Sequence, residues 1–182
     1  ITFTNNNTEF NSSGVQFIIN PYDEIALARA IELVEGGKGT VTAINVGGAA
    51  TEPTIRKALA IGADDAVRIN AEPRRESIDY NGAQVAAMIG ELLDIPSVSI
   101  VKKLDSDNGA TTIEREIEGG KEVLTLQGSF VASCAEGVAE PKIPNMRGIM
   151  SARSKPLEVV EATDVESLSQ ISNFETPAPR SA

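Results

Sequence analysis

Thr40-Val41-Thr42-Ala43-Ile44-Asn45-Val46-Gly47-Gly48-Ala49-Ala50-Thr51 is the stretch whose reading decides the fold. Its first seven residues are β-branched or apolar on both faces, as in a parallel strand covered from both sides. Gly47-Gly48 ends that strand, and Thr51 opens a helix running to Gly62, with Pro53 in the first turn and Ile55, Leu59 and Ala60 on the inner stripe. Upstream, Asn20 is a natural N-cap with Pro21 at the first helical position. Ile25, Ala28, Ile31 and Leu33 or Val34 then share one face until Gly36-Gly37 stops the helix. Downstream, Ala66-Val67-Arg68-Ile69-Asn70 is a second short strand. Helix, strand, helix and strand joined by short links give an α/β fold, a parallel sheet with helices on its faces.

Further out the pattern is less regular. Residues 1–19 form an extended excursion ending in a short strand or approach segment at Val15–Ile19. Beyond Ile69 the chain passes through Ala71-Glu72-Pro73 and the polar run 74–82 into a helix from Ala83 to Leu93, with Val85, Met88, Ile89 and Leu92 inward. A parallel unit needs a crossover and a return strand, and none is legible there. Val98–Leu104, Thr111–Ile117 and Glu122–Leu126, joined by Asp105–Gly109 and Glu118–Lys121, read as an antiparallel meander at an edge of the sheet. Ser129–Cys134 is one more strand, 136–156 a loop, Leu157–Val160 a possible strand, and the rest a Ser/Pro/Glu tail.

Composition narrows the chemistry. Sixteen Lys and Arg against 26 Asp and Glu leave the 182-residue chain at −10, with no histidine. That balance argues against nucleic-acid binding, since little would neutralise phosphates in bulk. Without imidazole there is no Ser-His-Asp triad, Cys-His dyad or histidine-ligated zinc. One cysteine, Cys134, forms no internal disulfide and reads as a buried, inert thiol. No apolar run approaches the ~20 residues of a membrane span. Ile1 opens into a polar segment without a signal-peptide pattern, so a soluble, reducing compartment is expected.

Four clusters could carry function, and each has a plain structural alternative. Asn20-Pro21-Tyr22-Asp23 offers helix-start amides to a phosphate or base edge, or is an ordinary cap. Val46 to Thr51 lets a ligand come close to backbone, or is a tight strand-to-helix turn; it is not a dinucleotide fingerprint. In Ser77-Ile78-Asp79-Tyr80-Asn81-Gly82-Ala83-Gln84, Asp79 could accept from ribose hydroxyls, the 82–83 helix start could face an anion, and Gln84 could bond a base. Its alternative is an Asx-type turn. Lys142 to Met150 places Met and Ile between basic residues, as on an adaptable partner surface, or folds back on its own core. No nucleophile–base pair and no P-loop can be named.

Taken together, Asn20–Ala26, Thr54–Asp64, Glu76–Gly82, Glu114–Gly120, Glu140-Pro141 and Ile149-Met150 followed by Arg153, Lys155 and Pro156-Leu157-Glu158 resemble the β subunit of electron-transfer flavoproteins. The resemblance implies a Rossmann-like domain of the adenine-nucleotide α-hydrolase type over 1–160, and an arm at 161–182 reaching over an α subunit. It implies a heterodimer holding FAD mostly on the α subunit and carrying electrons from acyl-CoA or other dehydrogenases to a quinone oxidoreductase. The subunit would not be an enzyme, would bind AMP or a second FAD, and would reside in bacterial cytoplasm or a mitochondrial matrix, without nucleic acid or membrane insertion. The cofactor contacts carried over are Asn20, Pro21, Tyr22, Asp23, Val46, Arg75, Glu76, Ser77, Ile78, Asp79, Tyr80, Asn81, Gly82, Ala83, Gln84 and Val85. The loop after Cys134 resembles the partner-recognition loop, with Met146, Ile149 and Met150 for docking. Relative to the family, an N-terminal strand of the K-I-L-V type and a helix–strand segment between Pro73 and Arg74 are expected to be missing. The alternatives are an enzyme of ATP-pyrophosphatase type, which would need a pyrophosphate loop not found here, and a self-dimerising nucleotide sensor.

Overall fold

Two parallel ladders share one central strand. Thr42–Val46 (β3) pairs with Asp65–Asn70 (β4), and β4 pairs on its other side with Leu157–Glu161 (β9). The computed structural model describes residues 2–71, 78–163 and 172–178, and of 78–83 the backbone only. It divides the chain into one unit of Ile18–Ala162 and another of Ile1–Phe17 with Thr163–Ala182.

In the larger unit, Pro21–Val34 (α1) starts as its sequence dictates. Asn20 Oδ1 accepts from the Tyr22 N–H at 2.9 Å, and Pro21 occupies the first turn, where a missing N–H costs nothing. Glu52–Ile61 (α2) follows a 3₁₀ turn at Ala49–Thr51. Thr51 does not cap it through its side chain; its hydroxyl donates instead to Gly48 O at 2.9 Å. At the other end, Gly62 takes a φ of 156°, and an added Cβ would run into Ile31. Val41, Ile55, Leu59, Ala60, Ala63, Ala66 and Ala152 form the core of this layer, with Leu27, Ala30, Ile31 and Val34 of α1 packed on it.

The meander does not extend this sheet. Ser97–Asp107 (β5), Ala110–Ile117 (β6), Gly120–Gln127 (β7) and Val131–Cys134 (β8) build a second sheet in the order β7-β6-β5-β8, with β8 parallel to β5. Val98, Val101, Leu104, Ile113 and Val138 are buried in its core together with Ile25 of α1, and Leu33 packs on it. Thus α1 is shared by both cores. Arg29 fixes it further, donating to Leu104 O and pairing with Asp105 at 2.9 Å.

Three further sequence expectations about the elements need correction. Ile78–Leu93 (α3) does not turn Val85, Met88, Ile89 and Leu92 inward; they are 42–82% exposed. Of the α3 residues whose burial is described, Gly90 is the buried one; it packs so closely that an added Cβ would stand 2.7 Å from Ser97 Cβ on β5. The stretch 136–156 is not all loop: Met146–Ala152 (α4) is helical, capped by Asn145 Oδ1 accepting from Gly148 N–H at 2.8 Å. Residues 15–19 form no strand. The expected break between Pro73 and Arg74 falls outside the described residues.

The smaller unit pairs Phe3–Thr4 (β1) with Glu9–Phe10 (β2) through a turn with Asn5, Asn6 and Asn7 all at positive φ, a conformation asparagine tolerates. Phe3 stacks on Phe174 at 5.4 Å.

Candidate functional site

The first turn of α1 overlooks a cleft of about 790 Å³ lined by Asn20, Tyr22, Asp23 and Ala26, by Val85, Ala86 and Ile89 of α3, and by Ile100 and residues 131–135 around β8. Three elements distant in sequence meet here, and the walls combine apolar side chains with a few convergent polar groups. That is the usual composition of a small-molecule site. A second cleft of about 470 Å³ lies on the other side of α1, against β3 and α2, and shares Asn20, Asp23 and Ala26 with the first. The start of α1 therefore stands between two openings.

The polar groups are distinct in kind. Asn20 is committed to its cap, which leaves its amide nitrogen free among the described residues. Asp23 has no hydrogen bond or ion pair among them, and the surrounding walls push its carboxyl above the usual 3.8 by desolvation. Tyr22 is half exposed at the rim. Cys134 is not the buried thiol expected from sequence: it is partly exposed and lines the cleft. Burial raises its pKa above 9.0, partly opposed by the positive charge of Arg29.

One wall residue had no signal in the sequence. Ile100 adopts φ 60°, where a β-branched side chain is costly, by about 1–3 kcal/mol. The register of β5 against β8 shifts between Val98 and Val101, and the Ile100 N–H donates to Ser133 Oγ at 3.2 Å instead of to a ladder partner. The irregularity places Ile100 on the cleft wall.

Of the predicted contacts, Asn20, Tyr22, Asp23 and Val85 are brought together. Pro21 lies at the start of α1 and Gln84 is exposed on α3, and neither lines the cleft. Val46 ends β3, 49% exposed and outside the lining. Ile78, Asp79, Tyr80, Asn81, Gly82 and Ala83 lie on the first turns of α3, with their side chains outside the description; Arg75, Glu76 and Ser77 lie outside the described residues. No group of three or more metal-ligating side chains occurs among the described residues.

The docking residues form a separate surface. Met146 and Met150 are 72% and 69% exposed, Ile149 is 42% exposed, and Ile143 stands beside them at 91%. Arg147 and Arg153 on α4 and just after it have no ion pair among the described residues. Two contacts seat α4 on α2. Gly148 passes against Ala60 O so closely that a Cβ could not be added, and Arg56 donates to Ala152 O and Lys155 O, both at 2.9 Å.

A parallel βαβ layer with a ligand-sized cleft over a capped helix start defines a Rossmann-like α/β domain. A family model described as the electron transfer flavoprotein domain matches residues 8–79 and 74–165. The chain is 34% identical over 186 residues to electron transfer flavoprotein subunit beta of Bacillus subtilis, spanning 87% of this chain and 72% of that one. It is 28% identical to the subunit beta of Syntrophomonas wolfei over 93% of this chain and 78% of the relative, and 30% identical to that of Thermoanaerobacterium thermosaccharolyticum over 84% and 70%. The chain belongs to the electron transfer flavoprotein family, as a β-type subunit. The two matched stretches overlap at residues 74–79.

Proposed function

We propose that this chain binds AMP as a structural ligand in the cleft at the start of α1, and pairs with an α subunit to hold an FAD. That flavin carries electrons from acyl-CoA or other dehydrogenases to a quinone oxidoreductase or another acceptor. The convergence of Asn20, Tyr22, Asp23 and Val85 on one cleft carries the reading. Asp23 is suited to accept from a ribose hydroxyl or an exocyclic amine, and the apolar walls of Ile89 and Ile100 suit the faces of a purine. The helix start adds the positive end of a dipole.

The flavin would do the redox work, while the protein positions and tunes it. No nucleophile–base pair is needed for that role, in keeping with a carrier rather than an enzyme. Bacterial cytoplasm or a mitochondrial matrix is the proposed location; among the described residues no helix is long and apolar enough to cross a membrane. Nucleotides acid-extracted from the purified heterodimer and identified by mass test the reading. AMP beside FAD at equal amounts is expected, a second FAD would make this a two-flavin variant, and a preparation with no adenylate would refute it.

The Met146–Met150 surface is proposed as the place where dehydrogenases dock, with Met146 as an apolar anchor. Met146→Asp should weaken electron transfer from a dehydrogenase while α–β assembly persists on size exclusion. Loss of assembly would refute the docking role.

A further inference from the structure

Two cations cross between α2 and α4, each reaching the C-terminal end of the other element. Arg56 of α2 donates from Nη1 to Ala152 O and to Lys155 O, both at 2.9 Å. Lys155, just after α4, donates from Nζ to Leu59 O at 2.9 Å and to Ala63 O at 2.5 Å. The last carbonyls of a helix lack intrahelical donors and form the negative end of its dipole, so a cation is favoured there. Ser151 O is met by the Ser154 and Lys155 N–H groups, at 3.0 and 3.2 Å, while Ala152 O takes its donor from Arg56. Lys155 has no ion pair among the described residues, so its charge is answered by these carbonyls. The seat matters because α4 has only seven residues, too few to hold a helix in water unaided. Its one buried residue is Ala152, with Gly148 one turn earlier against Ala60 O. A methyl group and a glycine give α4 little apolar grip, and the crossed cations supply the directional bonds.

We propose that Arg56 and Lys155 are positioning residues for the docking surface, holding α4 folded on α2 so that Met146, Ile149 and Met150 meet an acyl-CoA dehydrogenase as one preformed apolar patch. Those three side chains are exposed on the same short helix whose C-terminal carbonyl Arg56 holds. Lys155 fixes the other side of the seat, since Leu59 and Ala63 bracket the end of α2 on which α4 rests. Neither cation has to touch the dehydrogenase. A helix seated only a fraction of the time lowers the apparent affinity of its surface by that fraction. Loss of either cation therefore weakens encounter and leaves the electron-transfer step unchanged, because the apolar residues themselves are still present.

This inference rests on the docking reading above, and the experiment separates the two. The FAD-loaded heterodimer is titrated against a fixed amount of an acyl-CoA dehydrogenase with its acyl-CoA substrate, and flavin reduction is followed. The variants are Arg56→Met, Arg56→Lys, Lys155→Met, Lys155→Arg and Met146→Asp. Arg56→Met and Lys155→Met should each raise KM for the heterodimer about tenfold with kcat within about twofold, the effect of α4 being seated about one tenth of the time. Arg56→Lys and Lys155→Arg keep a cation in altered geometry and should leave a rise of about threefold. Reduction by dithionite, which needs no docking, should match wild type throughout. A merely structural pair would lower Tm or the yield of heterodimer and leave the KM of the assembled protein where it was. Wild-type KM in Arg56→Met and Lys155→Met overturns the positioning role alone when Met146→Asp is impaired. Should those two variants not assemble, wild-type KM in both Arg56→Lys and Lys155→Arg overturns it. Wild-type KM in Met146→Asp overturns the docking reading itself.

Discussion

Replacing Gly47 with alanine isolates the corner between β3 and α2. A Cβ built at Gly47 stands 2.6 Å from Thr51 Cγ2 and 3.1 Å from both Thr51 Oγ1 and Asn45 Oδ1. Ordinary contact begins near 3.4 Å. The methyl must therefore retreat by roughly 1 Å, and overpacking of this kind costs about 1–3 kcal/mol. Thr51 is not free to swing away, because its hydroxyl is donated to Gly48 O. For a chain of this size about 2 kcal/mol lowers Tm by about 4–8 °C. Thr51→Ser removes Cγ2 and keeps the hydroxyl, so the double variant should recover most of the loss. Thermal unfolding followed by circular dichroism on wild type, both single variants and the double measures the coupling. If Gly47→Ala/Thr51→Ser is as unstable as the two single losses added together, the steric account of this corner is wrong.

Gly148→Ala would drive a methyl against Ala60 O, a backbone atom that cannot turn aside, so α4 should lift from α2. The expected outcome is a fall in Tm together with weaker dehydrogenase coupling; a crystal structure with α4 unmoved would contradict it. Cys134, whose thiol is held above 9.0 by burial, should react with iodoacetamide only slowly at neutral pH, and AMP should slow it further by filling the cleft. A rate–pH midpoint at or below 9.0, or no protection by AMP, would count against the geometry. Asp23 has a folded-state pKa raised above 3.8, so the fold binds its proton more tightly than the unfolded chain does, and stability declines as pH rises from 3.8 through the raised value. Asp23→Asn removes that penalty: without ligand the variant should be at least as stable as wild type at pH 7, with the gap closing below pH 3.8 in paired denaturant melts.

The parts legible in the sequence are those specified locally. Asn20 and Pro21 announce the start of α1, and Gly62 the end of α2, because caps and left-handed stops depend on a residue and its immediate neighbours. The alternation of 110–127 likewise gave β6 and β7 directly. What sequence did not disclose depends on distant partners. Apolar spacing in α3 predicts an inward face, yet the close contact with Ser97 selects Gly90 for that side and leaves Met88 and Leu92 outward. Pro144 and Gly148 disguise α4, although Asn145 carries its cap in plain view. The Ile100 irregularity arises from register between β5 and β8, and Arg56 reads as an ordinary helix residue until Ala152 and Lys155 are brought to it.

Hydrogen–deuterium exchange on the nucleotide-stripped heterodimer, with and without AMP, reports most directly on whether the α1 cleft is the adenylate site. Slower exchange is predicted in peptides covering 20–26, 84–90 and 131–135, the three walls of that cleft, with β6 and β7 unchanged. Protection confined to other segments, or none at saturating AMP, would contradict it.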